Sequence, residues 1–295
     1  MKHSHRIYLG LALSLPVIVV LVVCAPLKVL NAMSSGAGSE CSAGLAYGDG
    51  PRQLLDVYRP LNGDGKAPVV VFFYGGNWVS GERADYAFVG RALAARGIVA
   101  VVADYRLYPQ VRYPEFLVDS ARAVAWVSQH IGRYGGDPHK LFLMGHSAGA
   151  YNAAMLALDG KLLAQQGMDA AALRGWIGLA GPYDFIPIQN ETTRPVFYYP
   201  QTPADSQPVN HVTRTAPPAL LIAARKDSLV NPQRNTGGLA YRLRGKGVRV
   251  TEAYLEGVNH MTLVVSLAAP ARWLAPTLDD VERFVKTDGG RLPDK

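Results

Sequence analysis

At 295 residues and 49% hydrophobic composition, the chain can bury one large core, and the roughly 250 residues beyond its N-terminal segment suit one α/β domain better than two small ones. The formal net charge is +7, but Lys and Arg are scattered, and the densest cluster (Arg242, Arg244, Lys246, Arg249) reads as a solvated helix face, which argues against nucleic-acid binding. No like-charge block or low-complexity tract appears, so disorder is confined to the two ends.

The N-terminus comes first. Lys2 and Arg6 precede an almost unbroken apolar run at 8–25, interrupted by Gly10, Ser14 and Pro16. A basic start followed by such a run predicts a signal peptide or signal-anchor helix within residues 1–33. The positive-inside bias then puts the N-terminus in the cytoplasm and the rest outside it, so the protein is exported or membrane-anchored. Cys24 and Cys41 are the two cysteines; a Cys24–Cys41 disulfide is compatible with an oxidising compartment, but two cysteines do not establish it. Residues 34–50, rich in Gly, Ser and Ala, read as a linker, and 51–295 as the domain.

Within that domain, 54–58 alternates as a short strand and stops at Pro60 and the Asn62-Gly63-Asp64-Gly65 turn. The continuous apolar run 68–74 (PVVVFFY) is how a strand covered on both faces reads. A helix is predicted over 85–96 with Gly97 at its C-terminal cap, then a strand at 98–103, a helix at 116–131, a strand at 141–144 and a helix at 148–158. Strands follow at 176–179, 219–223 and 248–254, with a helix through 239–244 before the last and another over 278–286. Apolar strands alternating with amphipathic helices imply βαβ units and a mostly parallel sheet with helices on both faces. Residues 181–218 break the rhythm: a long aperiodic segment inside a compact domain is usually functional, and it reads as a small lid or pocket wall.

Three residues in order carry the chemistry. Gly145-His146-Ser147-Ala148-Gly149 fits G-x-S-x-G between a predicted strand and a predicted helix, the context in which a sharp turn lifts a serine hydroxyl from the sheet's carboxyl end. Serine at its normal pKa needs a base. Of the later histidines, His211 falls inside the lid segment, whereas His260 follows the last strand on a loop, in the position of the base. Asp227 follows the strand at 219–223 and fits the acid; Asp184, also leaving a strand end, is its main rival and comes one strand early. Tyr74-Gly75-Gly76-Asn77-Trp78 leaves the strand at 68–74, and the amides of Gly75, Gly76 and Ala148 are assigned to an oxyanion hole. Tyr74, Trp78 and Tyr183 are assigned to the substrate pocket, with Phe185, Phe197 and Tyr198 serving equally well as packing.

These motifs, with Asp104-Tyr105-Arg106-Leu107 and Gly257-Val258-Asn259-His260, resemble the hormone-sensitive-lipase-like carboxylesterases and acetyl esterases over residues 46–284. The resemblance implies the α/β-hydrolase fold, an acyl-enzyme route on small ester substrates, no cofactor and no metal. It also implies that Asp104 and Arg106 brace a loop. The family's oxyanion motif begins with histidine where Tyr74 stands here; since the donors are backbone amides, the departure bears on how that loop is braced. Without a large cap domain, short acyl chains are expected. An amidase or arylformamidase-like enzyme, or a peptidase, would share the triad. An inactive binding module on the same scaffold is the reading from another class.

Overall fold

A computed structural model describes residues 26–290 apart from 35, 37 and 64. The apolar run at 8–25 and Cys24 lie outside the described residues. Among those described, no helix is long and apolar enough to cross a membrane.

The alternating pattern yields eight strands and eight α-helices among the described residues. In chain order these are α1 (Pro26–Met33), β1 (Ser39–Ala46), β2 (Leu54–Pro60), β3 (Ala67–Phe73), α2 (Ala87–Ala94), β4 (Val99–Ala103), α3 (Glu115–His130) and β5 (Gly136–His146). Then come α4 (Ala148–Leu158), α5 (Gly160–Ala164), β6 (Gly175–Leu179), β7 (Ala219–Ala224), α6 (Gly238–Gly245), β8 (Val250–Leu255), α7 (His260–Val265) and α8 (Thr277–Lys286). The strands form one sheet in the order β1-β2-β4-β3-β5-β6-β7-β8. β2 runs antiparallel to both its neighbours, β1 and β4, and β3 to β8 are parallel, which is the α/β-hydrolase arrangement.

The strands at 67–73, 99–103 and 219–224 contain almost nothing but apolar residues because both faces are covered: from Val69 to Phe73, Val99 to Ala103 and Ala219 to Ala224, every residue is buried. Register does the rest. Phe73 pairs with Ala103 on one side and Gly145 on the other, and His146 pairs with Leu179. The carboxyl ends of β3, β5 and β6 are therefore level, and the loops that leave them meet over one edge.

The linker expected at 34–50 is a correction. Ser39–Ala46 is strand β1, paired with β2 and bulged between Ser42 and Leu45, so Cys41 lies inside the folded domain. An edge strand facing water on most positions needs neither β-branched residues nor an apolar alternation, so it leaves no strand pattern in the sequence. The boundary at 33 moves too. Helix α1 is docked on the domain: the Asn31 side-chain amide donates to the carbonyls of Ala84 (2.8 Å) and Asp85 (3.0 Å), and its oxygen accepts from the Phe88 amide (2.9 Å).

Candidate active site

The elbow is built by crowding. Ser147 has φ 54° and ψ −121°, and its amide donates to the Leu179 carbonyl at 2.8 Å. A Cβ on Gly145 would stand 2.1 Å from the Gly149 carbonyl oxygen, and one on Gly149 would stand 2.0 Å from that of Phe73. Only residues without a side chain let strand, turn and helix approach so closely. Helix α4 is buried all round, which anchors the turn against the core and fixes the strained serine conformation.

Histidine and acid come from the two strands farther along. Asp227 lies three residues beyond β7; its Oδ1 accepts from the amides of Leu229 (2.9 Å) and Val230 (3.0 Å), which leaves Oδ2 for His260 Nδ1 at 2.7 Å. His260 Nε2 lies 2.9 Å from Ser147 Oγ. With Nδ1–H donating to the carboxylate, Nε2 is the acceptor for the serine hydroxyl. All three side chains are buried, and burial raises the Asp227 pKa. The His260 hydrogen bond and the Val230 and Leu229 amides outweigh that, so the carboxyl is held below its usual value.

His260 was expected on a loop and instead opens helix α7. Asn259 caps that helix, its side chain accepting from the amides of Met261 (3.0 Å) and Thr262 (2.9 Å), while Thr262 Oγ1 accepts from the Asn259 amide (2.8 Å). The reciprocal cap fixes the residue just before His260. A second restraint comes from His146, whose Nε2–H donates to the His260 carbonyl at 2.8 Å. Burial, and then the neighbouring His260, push the His146 pKa down to about 3, so its ring is neutral. His146 Nδ1 is buried and finds no hydrogen-bond partner among the described residues.

The rivals lie elsewhere. Asp184 pairs with Arg234 at 3.0 Å, and both side chains are exposed by more than a third. His211 bonds the Asp205 carbonyl inside the lid segment.

The loop after β3 departs from expectation in two places. Tyr74 lines no cavity; it is fully buried, stacked between Tyr86 and Tyr105. Its hydroxyl donates to Asp104 Oδ1 (2.9 Å) and accepts from Arg52 Nη2 (2.7 Å), so the tyrosine braces the loop from behind. Asp104 also receives the Arg83 amide (2.8 Å) and guanidinium (2.5 Å), and Arg106 forks onto Asp119 at 2.7 and 2.8 Å. The loop-bracing role expected of Asp104 and Arg106 matches this network; Arg52 and Arg83, too far along the chain to notice by motif, complete it. Burial, then Asp104, drive the Tyr74 pKa far up, so the hydroxyl stays protonated.

The second departure concerns Gly75. Beyond the donor role expected of it, this glycine lies directly against the serine. What Gly75 supplies is room: a Cβ there would stand 2.9 Å from Ser147 Cβ. Gly76 and the next residue, Asn77, flank Ser147 in the same cavity, and Asn77 holds φ 53°. Asn77 carried no motif weight in the sequence because any residue can present a backbone amide.

Trp78 does line the pocket, held by its indole N–H donating to Asn152 Oδ1 on α4 at 2.9 Å. Tyr183 does not. Asn235 Oδ1 accepts from the amides of Tyr183 (2.7 Å) and Asp184 (2.9 Å), and the turn so formed sends Tyr183 into the core, edge-on to Trp176. The expected lid at 181–218 is divided. Its first part supplies Pro182, Asp184, Phe185 and Ile188 to the pocket wall, whereas Phe197 is buried against Trp78 and Tyr113. The pocket opens on Ser147 and measures about 220 Å³; an adjoining, wider cavity of about 500 Å³ borders Ser147 and His260.

Residues 55–237 match the BD-FAE family. The chain is 34% identical over 237 residues to esterase LipC of Mycobacterium tuberculosis, covering 72% of this chain and 58% of that one. It is 28% identical over 242 residues to a probable isoprenylcysteine alpha-carbonyl methylesterase of Arabidopsis thaliana, covering 74% and 50%. The chain thus spans little more than half the length of these two curated relatives. Among solved structures, esterase B from Lactobacillus rhamnosis superposes with a TM-score of 0.76 over 98% of this chain and 97% of that one, at 17% identity, a likeness of fold. With the match at 55–237 covering Gly75, Ser147 and Asp227, the chain belongs to the BD-FAE family of hormone-sensitive-lipase-like α/β-hydrolases.

Proposed function

We propose that the protein is a serine carboxylesterase hydrolysing short-acyl esters through an acyl-enzyme. The observation that carries this is the unbroken hydrogen-bonded line Asp227–His260–Ser147, at 2.7 and 2.9 Å, opening on the 220 Å³ pocket. Ser147 Oγ attacks the ester carbonyl as its proton passes to His260 Nε2; Asp227 stabilises the imidazolium, which then protonates the departing alkoxide. Water repeats the sequence on the acyl-enzyme, with His260 again as base. The amides of Gly76, Asn77 and Ala148 face the developing oxyanion, Gly75 serving to admit the carbonyl. A pocket of this size, walled by Trp78, Phe185 and Ile188, suits a short acyl group.

Initial rates on p-nitrophenyl acetate, butyrate and decanoate, beside Ser147→Ala, test the reading. Turnover of the two short esters that vanishes in the variant supports it; an inert folded wild type, or a variant that keeps its rate, overturns it. The basic start and apolar run of the N-terminus support a location exported or membrane-anchored, with the catalytic domain outside the cytoplasm. The intact mass of the mature protein separates cleavage from retention.

A further inference from the structure

Large apolar side chains exposed singly are ordinary; here two, Leu229 and Met261, border the catalytic opening. Asp227 is followed two residues later by Leu229, 71% exposed, and His260 is followed at once by Met261, 45% exposed. Both border the wider cavity, the one that touches Ser147 and His260. The segments that carry the acid and the base thus each present an apolar side chain to water beside the reacting atoms.

A third contribution comes from α1. Leu27, in its first turn, lines the same cavity. The helix is not a loose tether: besides the Asn31 bonds, Arg91 Nη1 donates to the carbonyls of Asn31 (2.8 Å) and Ser34 (2.9 Å). The turn at Ala269–Leu274 packs against both α1 and α7, and it carries Trp273, 82% exposed, the most exposed large apolar side chain among the described residues. The apolar run at 8–25 ends immediately before Pro26. A chain that leaves a bilayer at that point enters the domain at the rim of its own active site.

We propose that this rim, formed by Leu27, Leu229 and Met261, together with Trp273 on the turn packed against the helices of Leu27 and Met261, rests on a lipid bilayer, and that the enzyme takes amphiphilic esters directly from it. The inference rests on the esterase reading for its substrate half. A short acyl group would enter the 220 Å³ pocket beside Trp78, while the apolar alcohol part stays in the lipid and reaches Ser147 through the wider cavity. Aliphatic side chains and an indole at the interface gain by transfer from water, and tryptophan in particular favours the headgroup level.

The full chain, reconstituted into phosphatidylcholine vesicles, tests both halves. Fluorescence quenching by brominated phosphatidylcholine is compared for wild type and Trp273→Phe, with aqueous iodide as the opposing quencher. The proposal expects bromolipid quenching that falls in the variant and a Trp273 shielded from iodide. A full chain that does not associate with vesicles, or a Trp273 open to iodide and indifferent to bromolipid, overturns it. Rates are then measured on dodecyl butyrate carried in the vesicles and on p-nitrophenyl acetate in water. Trp273→Ser should slow the first by roughly fivefold or more and leave the second unchanged; a variant that matches the wild type on both substrates, or loses equally on both, contradicts direct uptake from the bilayer. If neither ester is hydrolysed while Trp273 is quenched by bromolipid, the esterase reading and the uptake that rests on it fail, and the membrane-facing rim stands.

Discussion

His146 gives the sharpest test of the site's electrostatics. Its ring is fully buried beside His260 and held neutral, with a folded pKa of about 3 against an ordinary 6.5. Because the folded value is depressed, the unfolded chain takes up the proton first. Stability is full above pH 6.5 and is lost as pH falls through 6.5 toward 3. At pH 5 the unfolded imidazole is almost wholly protonated and the folded one almost wholly neutral, so the linkage costs about 2 kcal/mol relative to pH 7.5. His146→Gln can keep an N–H for the His260 carbonyl but has nothing to titrate. Urea unfolding of both proteins at pH 7.5 and 5.0 isolates the residue, since the other titrating groups are common to them. The wild type should lose about 2 kcal/mol more than the variant on acidification. Equal losses in the two proteins would refute the claim that a neutral, desolvated ring sits beneath the base.

Four further outcomes follow from the geometry. Asp227→Asn keeps the shape of the site but removes the charge that orients and stabilises His260, and should lower kcat by roughly a thousandfold to ten-thousandfold on p-nitrophenyl butyrate. Asp184→Asn loses only a half-exposed pair with Arg234, so kcat should change by less than about threefold and stability by less than about 1 kcal/mol; a collapse of activity would make Asp184 the acid after all. Gly75→Ala places a methyl 2.9 Å from Ser147 Cβ, and a displacement of that order should reduce kcat by about a hundredfold while the melting temperature changes little. Tyr74→Phe leaves Asp104 and Arg52 without their shared hydroxyl, and should cost about 1–3 kcal/mol in urea unfolding. Its KM should be nearly unaltered, since that hydroxyl faces away from the substrate.

Much of this molecule was legible because the informative positions are constrained twice. Strands buried on both faces must be apolar throughout, and 68–74 and 219–223 read directly as such. The elbow glycines are demanded by backbone contacts near 2 Å, and the order of serine, acid and histidine follows from which strand each one leaves. What stayed hidden depends on the third dimension. β1 is an edge strand with most positions in water, so its Gly, Ser and Ala carry no periodic signal. Tyr183 sits in an aromatic stretch like a pocket residue, and only the Asn235 carboxamide, 52 residues on, shows that its chain turns inward. Backbone amides have no side-chain signature, so nothing in the sequence singles out Asn77, which lines the cavity beside Ser147. The bracing of Asp104 by Arg52 and Arg83 joins segments apart in sequence, and no local pattern announces it.

Every role proposed at the site depends on the acylation of Ser147. Rapid-quench mixing of the enzyme with p-nitrophenyl butyrate, followed by peptide mass analysis, measures that directly. A burst of p-nitrophenol is expected, with a butyryl group on the peptide containing Ser147, and neither in Ser147→Ala. A butyryl group on another residue, or turnover by the Ser147→Ala protein at the wild-type rate, would contradict it.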